Sequence, residues 1–509
     1  MSLTTAVGLG QLFAIGRELF VASQVGTGPS LDALLVALVF PTMLLGLLTS
    51  GTTSAILPAH AAVELAAGSD AARRFVGAIL TYTVIVGVGV TLAIGALGSM
   101  VVGIAGPGLS SDARAEAGGF LIIIAPIIVL GSTAGLISAL CQIGQRFVPI
   151  SVAAIASPVV SLLVTVGFWS QLGLKALALA TTVASFVSLA VLLMGAVRYG
   201  LLPRPRLRIG LAYLRDFLRH ALPLWASSMV LQFNLLVDRA LSSILAVGAV
   251  SALRYGEGII RIPLTSIGPA WGMVLYPSLV RVAQADSRDS LGLAAVASFR
   301  YVFAIFIPLA VGCAAMAPLI VDVAYRRGAF GADAAAATSG VAAALAPLIV
   351  LTMVEGILIG AHNAKRRGRL LLGAGIATTA IHLVLNLVLG RALGVAGIAL
   401  STSLTMTIVF VFLAAQLART EPAFRLREIA DIGGRSLLAS MVSGVPIGAW
   451  IWLGYRPESF GTSVLLLISF TMLGFFIYVL ASSKLGLPEP ASVVRTLVRR
   501  LPAVSRLRP

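Results

Sequence analysis

The sequence predicts an all-α integral membrane protein of fourteen transmembrane helices: two parallel six-helix repeats followed by two further helices. Three observations carry that expectation: a charge-poor composition, a regular succession of bilayer-length apolar stretches, and an internal duplication. Hydrophobic residues make up 59% of the chain and charged residues 11%, against about 25% charged in a soluble domain. Mean hydropathy is +1.02. A formal charge of +17 does not point to nucleic acid, because the basic residues are dispersed between apolar segments and not gathered on a polar domain. Cys141 and Cys313 lie far apart in apolar stretches, so two buried thiols are expected, with no disulfide and no metal site. No basic region followed by a small-residue cleavage site opens the chain, so the first apolar stretch should be kept as a helix.

A hydrocarbon core about 30 Å thick needs roughly 20 apolar helical residues. On that rule the first six spans fall near 3–24, 32–59, 76–104, 118–140, 148–170 and 173–197. The next six fall near 220–246, 249–278, 301–321, 335–361, 370–390 and 394–417, and the last two near 436–454 and 461–483. Alternate loops divide the Lys and Arg residues 26 to 6, with 4 left inside spans. The basic side is cytoplasmic, which puts both termini there. "LGLKALALATT" from Leu172 aligns with "LGVAGIALSTS" from Leu393 at five of eleven positions, an offset of 221. Leu57-Pro58 and Tyr276-Pro277 echo each other at an offset of 219. The expected organisation is an N-terminal lobe over 1–200, a linker over 201–219 and a C-terminal lobe over 220–420. Extra spans then occupy 421–485 and a basic cytoplasmic tail 486–509. Even-numbered repeats run parallel, and paired halves of this kind commonly enclose a central site. In the linker Leu211, Leu214, Phe217 and Leu218 share one face, which allows a helix lying on anionic headgroups beside the plainer reading of a positively charged loop.

Nine charges remain at membrane depth: Arg17, Glu18, Asp32, Asp238, Arg239, Arg254, Glu257, Arg261 and Glu355. Facing lipid at roughly 3 kcal/mol each, they would cost on the order of 25 kcal/mol, so they should face a cavity or one another. Eight of the nine belong to spans 1, 2, 7 and 8, the first two helices of each repeat. Arg17 lies roughly 21 Å along span 1, in the outer half of the membrane. In "RYGEGIIRIP" Arg254, Glu257 and Arg261 stand at i, i+3 and i+7, a charged stripe on one face. Gly256 and Gly258 permit close approach, and Pro263, like Pro41 in span 2, is a hinge candidate. The competing reading is a set of buried ion pairs fixing helix register, such as Arg17 with Asp32 or Asp238 with Arg254. Buried pairs stabilise poorly against apolar packing, which favours a wet cavity. Four arginines against five carboxylates leave it at −1, so an anion would be held by local arginine placement. His382 and Asn386, four apart in span 11, with Thr402 and Asp238, suggest a small-cation site or plain helix–helix contacts. No nucleotide-binding, zinc-protease or paired-cysteine motif occurs, and the loops are too short for a soluble catalytic domain.

With these residues laid out, the stretch "GRELFVASQVGTGPSLDALLVALVFPTMLLGLLTSGTTSAILP" resembles the first two spans of the lipid II flippase (MurJ/MviN) family. The stretch from Leu235 to Leu279 resembles its spans 7 and 8. The resemblance implies a member of the multidrug/oligosaccharidyl-lipid/polysaccharide exporter superfamily, with two six-helix lobes forming a V around a cationic cavity. It implies a transporter and not an enzyme, in the bacterial inner membrane, flipping a polyprenyl-diphosphate-linked sugar by alternating access. Arg17, Arg254 and Arg261 would hold the diphosphate, with Glu18, Asp32, Asp238, Arg239 and Glu257 as cavity partners, while the last two helices form a groove for the lipid tail. The implied partners are the lipid-linked sugar, membrane lipids and cell-wall synthesis proteins, with no nucleic acid and no cofactor beyond a coupling ion, Na+ or H+, or the membrane potential. The chain departs from the family at Gln11 and Leu45, where basic residues are usual, and at Gly258, where an arginine commonly follows the acidic residue. Those departures keep open another lipid-linked glycan as cargo, and beyond it a cation-coupled drug exporter.

Overall fold

The computed structural model describes residues 3–208, 210–284, 290–365, 367–454 and 459–490. Among the described residues there are nineteen α-helices and no strand. In order these are α1 (Leu3–Val25), α2 (Pro29–Ala67), α3 (Ser69–Ala96), α4 (Gly98–Ala105), α5 (Ser111–Ile124), α6 (Ile127–Ile143), α7 (Val148–Gly167), α8 (Trp169–Leu172), α9 (Leu174–Arg198) and α10 (Leu211–Leu245). They continue with α11 (Ala249–Gln284), α12 (Ser290–Ala315), α13 (Ala317–Ala324), α14 (Ala332–Leu345), α15 (Leu348–Ala364), α16 (Gly368–Leu393), α17 (Val395–Ala418), α18 (Leu426–Trp452) and α19 (Phe460–Lys484). The chain divides into two compact units, Met1–Ser251 and Ala252–Pro509.

Eleven stretches are long and apolar enough to cross a membrane by length and composition. They lie in α1, the first half of α2, α3, α5 with α6, α7, α9, α12, α14 with α15, α16, α17 and α19. Helices α10, α11 and α18 are not among them, because polar side chains interrupt each apolar run: Gln232 and Asn234 in α10, Arg254, Glu257 and Arg261 in α11, Arg427, Glu428, Asp431 and Arg435 in α18.

Several expected spans are two helices in tandem, and the breaks have a visible cause. Pro126 precedes α6 and Pro347 precedes α15; each lacks an N–H and cannot continue the ladder of the helix before it. The two prolines stand 221 residues apart, so the duplication extends to the interruptions. Hydrogen bonds repeat at the same offset. Thr182 Oγ1 donates to Ile123 O at 2.6 Å, and Ser403 Oγ to Ala344 O at 2.6 Å. Arg146 N bonds Cys141 O, and Arg367 N bonds His362 O. Gly173 and Gly394, at φ 53 and 63, open α9 and α17 in a conformation that L side chains rarely adopt.

Within the first unit α1 packs on α7, α7 on α9, and α2 on α10. Between helices in lipid, burial supplies little drive and close van der Waals packing supplies most. Gly10 shows this: a Cβ there would overlap the Ala154 carbonyl of α7. A buried cluster of Ile56, Phe75, Ile79 and Leu136 takes in Phe217, which meets Phe75 and Trp225 edge-on at 6.1 and 6.5 Å. Residues 211–219 are accordingly the opening turns of α10, with Phe217 turned into protein. The chain before them is fastened to α3, where Tyr82 Oη donates to Leu207 O at 2.6 Å and Thr81 Oγ1 accepts from Arg206 N at 3.1 Å.

In the second unit α12 packs on α18 and α16 on α17. Arg300 of α12 bonds Glu428 of α18 at 2.6 Å and lies 3.5 Å from Glu489, just beyond α19. Lys365 pairs with the buried Glu421. Helix α19 exposes Leu465, Ile468, Met472 and Phe476, an apolar outer surface that suits acyl chains and not water. Cys141 and Cys313 are free thiols, Cys141 buried and Cys313 half-buried.

Candidate functional site

Arg17 sits on α1, half-buried, and its Nη1 donates to Ser161 Oγ of α7 at 2.6 Å. Around it is a crevice of about 240 Å³ lined by Ser157, Ser161, Thr181 and Ser185 besides Ala14, Pro158 and Ala184. Thr181 and Ser185 give their protons to carbonyls one turn back in α9. Their oxygens therefore act as acceptors toward a donor in the crevice. A guanidinium carries five donors, so a neutral hydroxyl partner leaves its charge uncompensated by that contact. Glu18 follows it, half-buried.

Asp32, on the first turn of α2, is 3% exposed. Its Oδ2 accepts from Gly248 N at 2.6 Å and its Oδ1 from Ser251 N at 2.8 Å. A helix leaves its first four N–H groups without intrahelical partners, and here a carboxylate from another helix satisfies two of them around the start of α11. The positive end of the helix dipole favours that negative charge. Gly248 makes the approach workable at φ +85, with Ser251 Oγ returning a 3.1 Å bond to its carbonyl. The expected pairing of Asp32 with Arg17 is thus not formed: Asp32 spends its oxygens on backbone, and Arg17 reaches a serine.

In α11 the side chains of Arg254 and Glu257 are half-buried and Arg261 is exposed, while Leu253, Tyr255, Gly256, Ile259 and Ile260 are buried. At about 100° per residue the three charges fall within a narrow arc and the buried residues occupy the other side. Gly256 is there for packing, since a Cβ would overlap Val341 of α14. Both α2 and α11 run continuously through the hinge candidates Pro41 and Pro263. On α10, Arg239 is 5% exposed and Asp238 half-buried, both in the first unit.

His382 and Asn386 come together as expected, with Asn386 Nδ2 at 3.1 Å from His382 Nε2. Thr402 is not their partner; its hydroxyl bonds Ile398 O in its own helix. Ser401 bonds Asn386 Oδ1, and Thr405 Oγ1 lies 3.5 Å from His382 Nδ1. Both were legible in principle, as an i, i+4 hydroxyl pair on α17. Ser161, Gly248 and Ser251 were not, because nothing in local spacing links them to Arg17 or Asp32. Among the described residues no group of three or more His, Cys, Asp or Glu could hold a metal ion.

An apolar groove of about 540 Å³ lies among α12, α13, α18 and α19. Pro308, Gly312, Gly444, Phe470, Phe475 and Tyr478 line it. Tyr478 Oη donates to Ala304 O at 2.9 Å with Ser436 Oγ 3.3 Å away, so the one phenol in the wall turns its polar end into protein.

The family profile described as "Lipid II flippase MurJ" matches residues 21–471. A "Probable lipid II flippase MurJ" of Rhizobium tropici is 25% identical, over 97% of this chain and 95% of its own. One of Thermotoga maritima is 24% identical over 97% and 98%. A solved "Lipid II flippase MurJ, inward closed conformation" superposes with a TM-score of 0.79 at 16% identity, covering 98% of this chain and 99% of that one. An inward-facing multidrug-resistance MATE transporter gives 0.66 at 15% identity, over 83% and 96%. Those likenesses establish the fold, and the profile match over most of the length establishes kinship: the chain belongs to the MurJ family.

Proposed function

We propose that this chain is a flippase that carries a polyprenyl-diphosphate-linked sugar, lipid II, from the cytoplasmic to the outer leaflet by alternating access. The observation that carries the reading is the family match over residues 21–471. Fourteen helices cross the membrane on this reading: the charges of α10 and α11 serve a transport path and do not face lipid, and those of α18 lie in its first turns, ahead of the apolar stretch that crosses. Six-helix lobes, the two appended spans and cytoplasmic termini follow from the duplication and the basic-loop asymmetry.

Arg17, Arg254 and Arg261 receive the diphosphate as charge-assisted donors. Ser161 holds Arg17 in a set geometry through one hydrogen bond. The prenyl tail stays in lipid and lies along the groove walled by α18 and α19. Asp32 fixes the start of α11 within the first unit through its two backbone hydrogen bonds. Each charge moved across the membrane potential contributes about 2.3 kcal/mol per 100 mV, and an ion gradient, Na+ or H+, is the other source of bias. Cell-wall synthesis enzymes are the partners that consume the flipped precursor. A second reading, a different lipid-linked glycan, is favoured by Gln11, Leu45 and Gly258, which remove basic residues usual in the family.

Complementation of a bacterium depleted of its lipid II flippase separates the two. Rescue by the chain, lost with Arg17→Ala, is expected; stable, membrane-inserted protein that does not rescue would transfer the cargo to another glycan.

A further inference from the structure

Residues 200–208, which follow α9, form a strap laid along α3, all of it within the first unit. Pro203 and Pro205 lack an N–H and fix φ at about −65°, and each keeps the residue before it extended. The strap is therefore stiff before anything binds it, and α3 supplies its fastenings. Arg73 donates to Gly200 O, Thr81 Oγ1 accepts from Arg206 N at 3.1 Å, and Tyr82 Oη donates to Leu207 O at 2.6 Å. Thr81 gives its own proton to Gly77 O at 2.8 Å, which leaves its oxygen to accept from the strap. Gly77 permits the close approach, since a Cβ there would overlap the Arg204 carbonyl.

The fastenings run from Arg73 to Tyr82, about 13 Å along α3 at the helical rise. Over that stretch α3 is enclosed, with Phe75, Val76, Gly77, Ala78 and Ile79 buried. At Tyr82 the helix changes character. Tyr82, Ile85, Val86, Val88 and Leu92 are exposed, and an apolar helix surface of that length suits acyl chains and not water. Tyrosine is a residue type enriched where hydrocarbon meets headgroups. The end of the strap, Arg206 to Arg208, thus lies where the enclosed part of α3 gives way to its lipid-facing part, at the level of lipid phosphates.

Arg206 and Arg208 are exposed, and among the described residues neither guanidinium has a hydrogen-bond or ion-pair partner. Residues two apart on extended backbone point the same way, and these two border one open hollow of about 620 Å³ together with Thr81, Pro205 and Leu207. Leu207, between them, is 64% exposed. Water suits the arginines but not the leucine. A phospholipid suits both: its phosphate meets the guanidiniums as a charge-assisted acceptor, and its acyl chains meet Leu207 and the apolar surface of α3. A nucleic acid or an acidic peptide would leave that surface without a partner. Residues 200–208 contain no carboxylate to offset the arginines, which favours a headgroup of net negative charge over a zwitterionic one.

We propose that the strap and α3 form a binding site for an anionic phospholipid of the leaflet on the basic-loop side, with Arg206 and Arg208 on its phosphate and Leu207 among its acyl chains. The linker meets headgroups through this strap and not through the helical face that carries Phe217, which is buried. The site goes beyond the flippase reading and holds whatever the cargo is.

The test uses the full chain in detergent and counts lipid retained per chain by native mass spectrometry, with dioleoylphosphatidylglycerol as the anionic probe and dioleoylphosphatidylcholine as the neutral one. The unmutated chain should retain phosphatidylglycerol in preference to phosphatidylcholine. Arg206→Gln combined with Arg208→Gln should raise the phosphatidylglycerol concentration needed for equal occupancy about thirtyfold, several-fold for each arginine near an anionic surface. Arg425→Gln combined with Arg427→Gln, the same charge change at two other exposed arginines, should leave it unaltered. Tyr82→Phe keeps both charges, removes one fastening and should weaken retention several-fold. Excess inorganic phosphate should not displace the lipid. If the double variant at 206 and 208 does not fold, Arg208→Gln alone carries the comparison. Equal weakening by the two arginine pairs would reduce the effect to general surface charge and overturn the site. So would absence of a phosphatidylglycerol preference, displacement by phosphate, or retention indifferent to Tyr82→Phe.

Discussion

At the scale of single residues, the charges inside this chain differ in the chemistry of the partners that hold them. Asp32 is committed: two backbone N–H groups around the start of α11 occupy its carboxylate. Asp32→Ala strips both acceptors and should lower stability by about 0.5–2 kcal/mol, the range for a lost N-cap. Asp32→Asn keeps one good acceptor and should lose less. Amide exchange at Gly248 and Ser251 reads this directly, and protection unchanged in the alanine variant would contradict the cap. Arg17 differs, since its defined partner is a neutral hydroxyl. Ser161→Ala should therefore weaken rescue of flippase depletion less than Arg17→Ala does; equal loss would mean that the serine, and not the charge, is what matters. That these charges fall within long helices was legible in the sequence, as was the shared face of Arg254, Glu257 and Arg261. Their partners were not. Ser161 is 144 residues from Arg17, and Gly248 is 216 from Asp32, separations at which hydrophobic period carries no information.

At the scale of elements, apolar stretches of bilayer length located the helices because a span must bond its own backbone throughout. Their interruptions were less legible. A proline inside an apolar run either kinks a helix or ends it, and this chain does both: α2 runs on through Pro41 and Pro58, while α5 and α14 stop just ahead of Pro126 and Pro347. What decides is whether neighbours re-satisfy the freed carbonyls, which depends on packing. The hydrogen bonds from Thr182 to Ile123 O and from Ser403 to Ala344 O do so near the two broken helices, at corresponding places in each repeat. Gly256 supplies an element-scale prediction. With Val341 already where a Cβ would go, Gly256→Leu must push α14 from α11 and should cost about 1–3 kcal/mol. Thermal unfolding in detergent measures it, and Gly256→Ala, which adds only the Cβ, provides a smaller change at the same contact. A Gly256→Leu melt matching the unmutated chain would show that α14 yields without cost.

At the scale of the molecule, the duplication explains why chemistry differs between halves that share a fold. An offset of 221 carries Arg17-Glu18 onto Asp238-Arg239, reversing the order of charge, and carries Ser161 onto His382. One pair of corresponding positions thus holds a guanidinium bonded to a hydroxyl in the first repeat, and a carboxylate and an imidazole in the second. The last two helices have no counterpart in either repeat, and they wall the apolar groove. If that groove receives a prenyl tail, filling it should discriminate by tail length and leave headgroup recognition intact. Gly312 is the position to fill: it lines the groove, and a Cβ there meets only Met316 Cε, at an ordinary 3.7 Å. Gly312→Phe therefore adds a ring to the groove without forcing backbone apart. In proteoliposomes this variant should slow flipping of a substrate with a full-length undecaprenyl tail several-fold, while an analogue with a short prenyl chain, which does not need the groove, should be flipped at the unmutated rate. Equal slowing of both substrates would assign the groove to helix packing, and no slowing of either would place the tail elsewhere in the lipid.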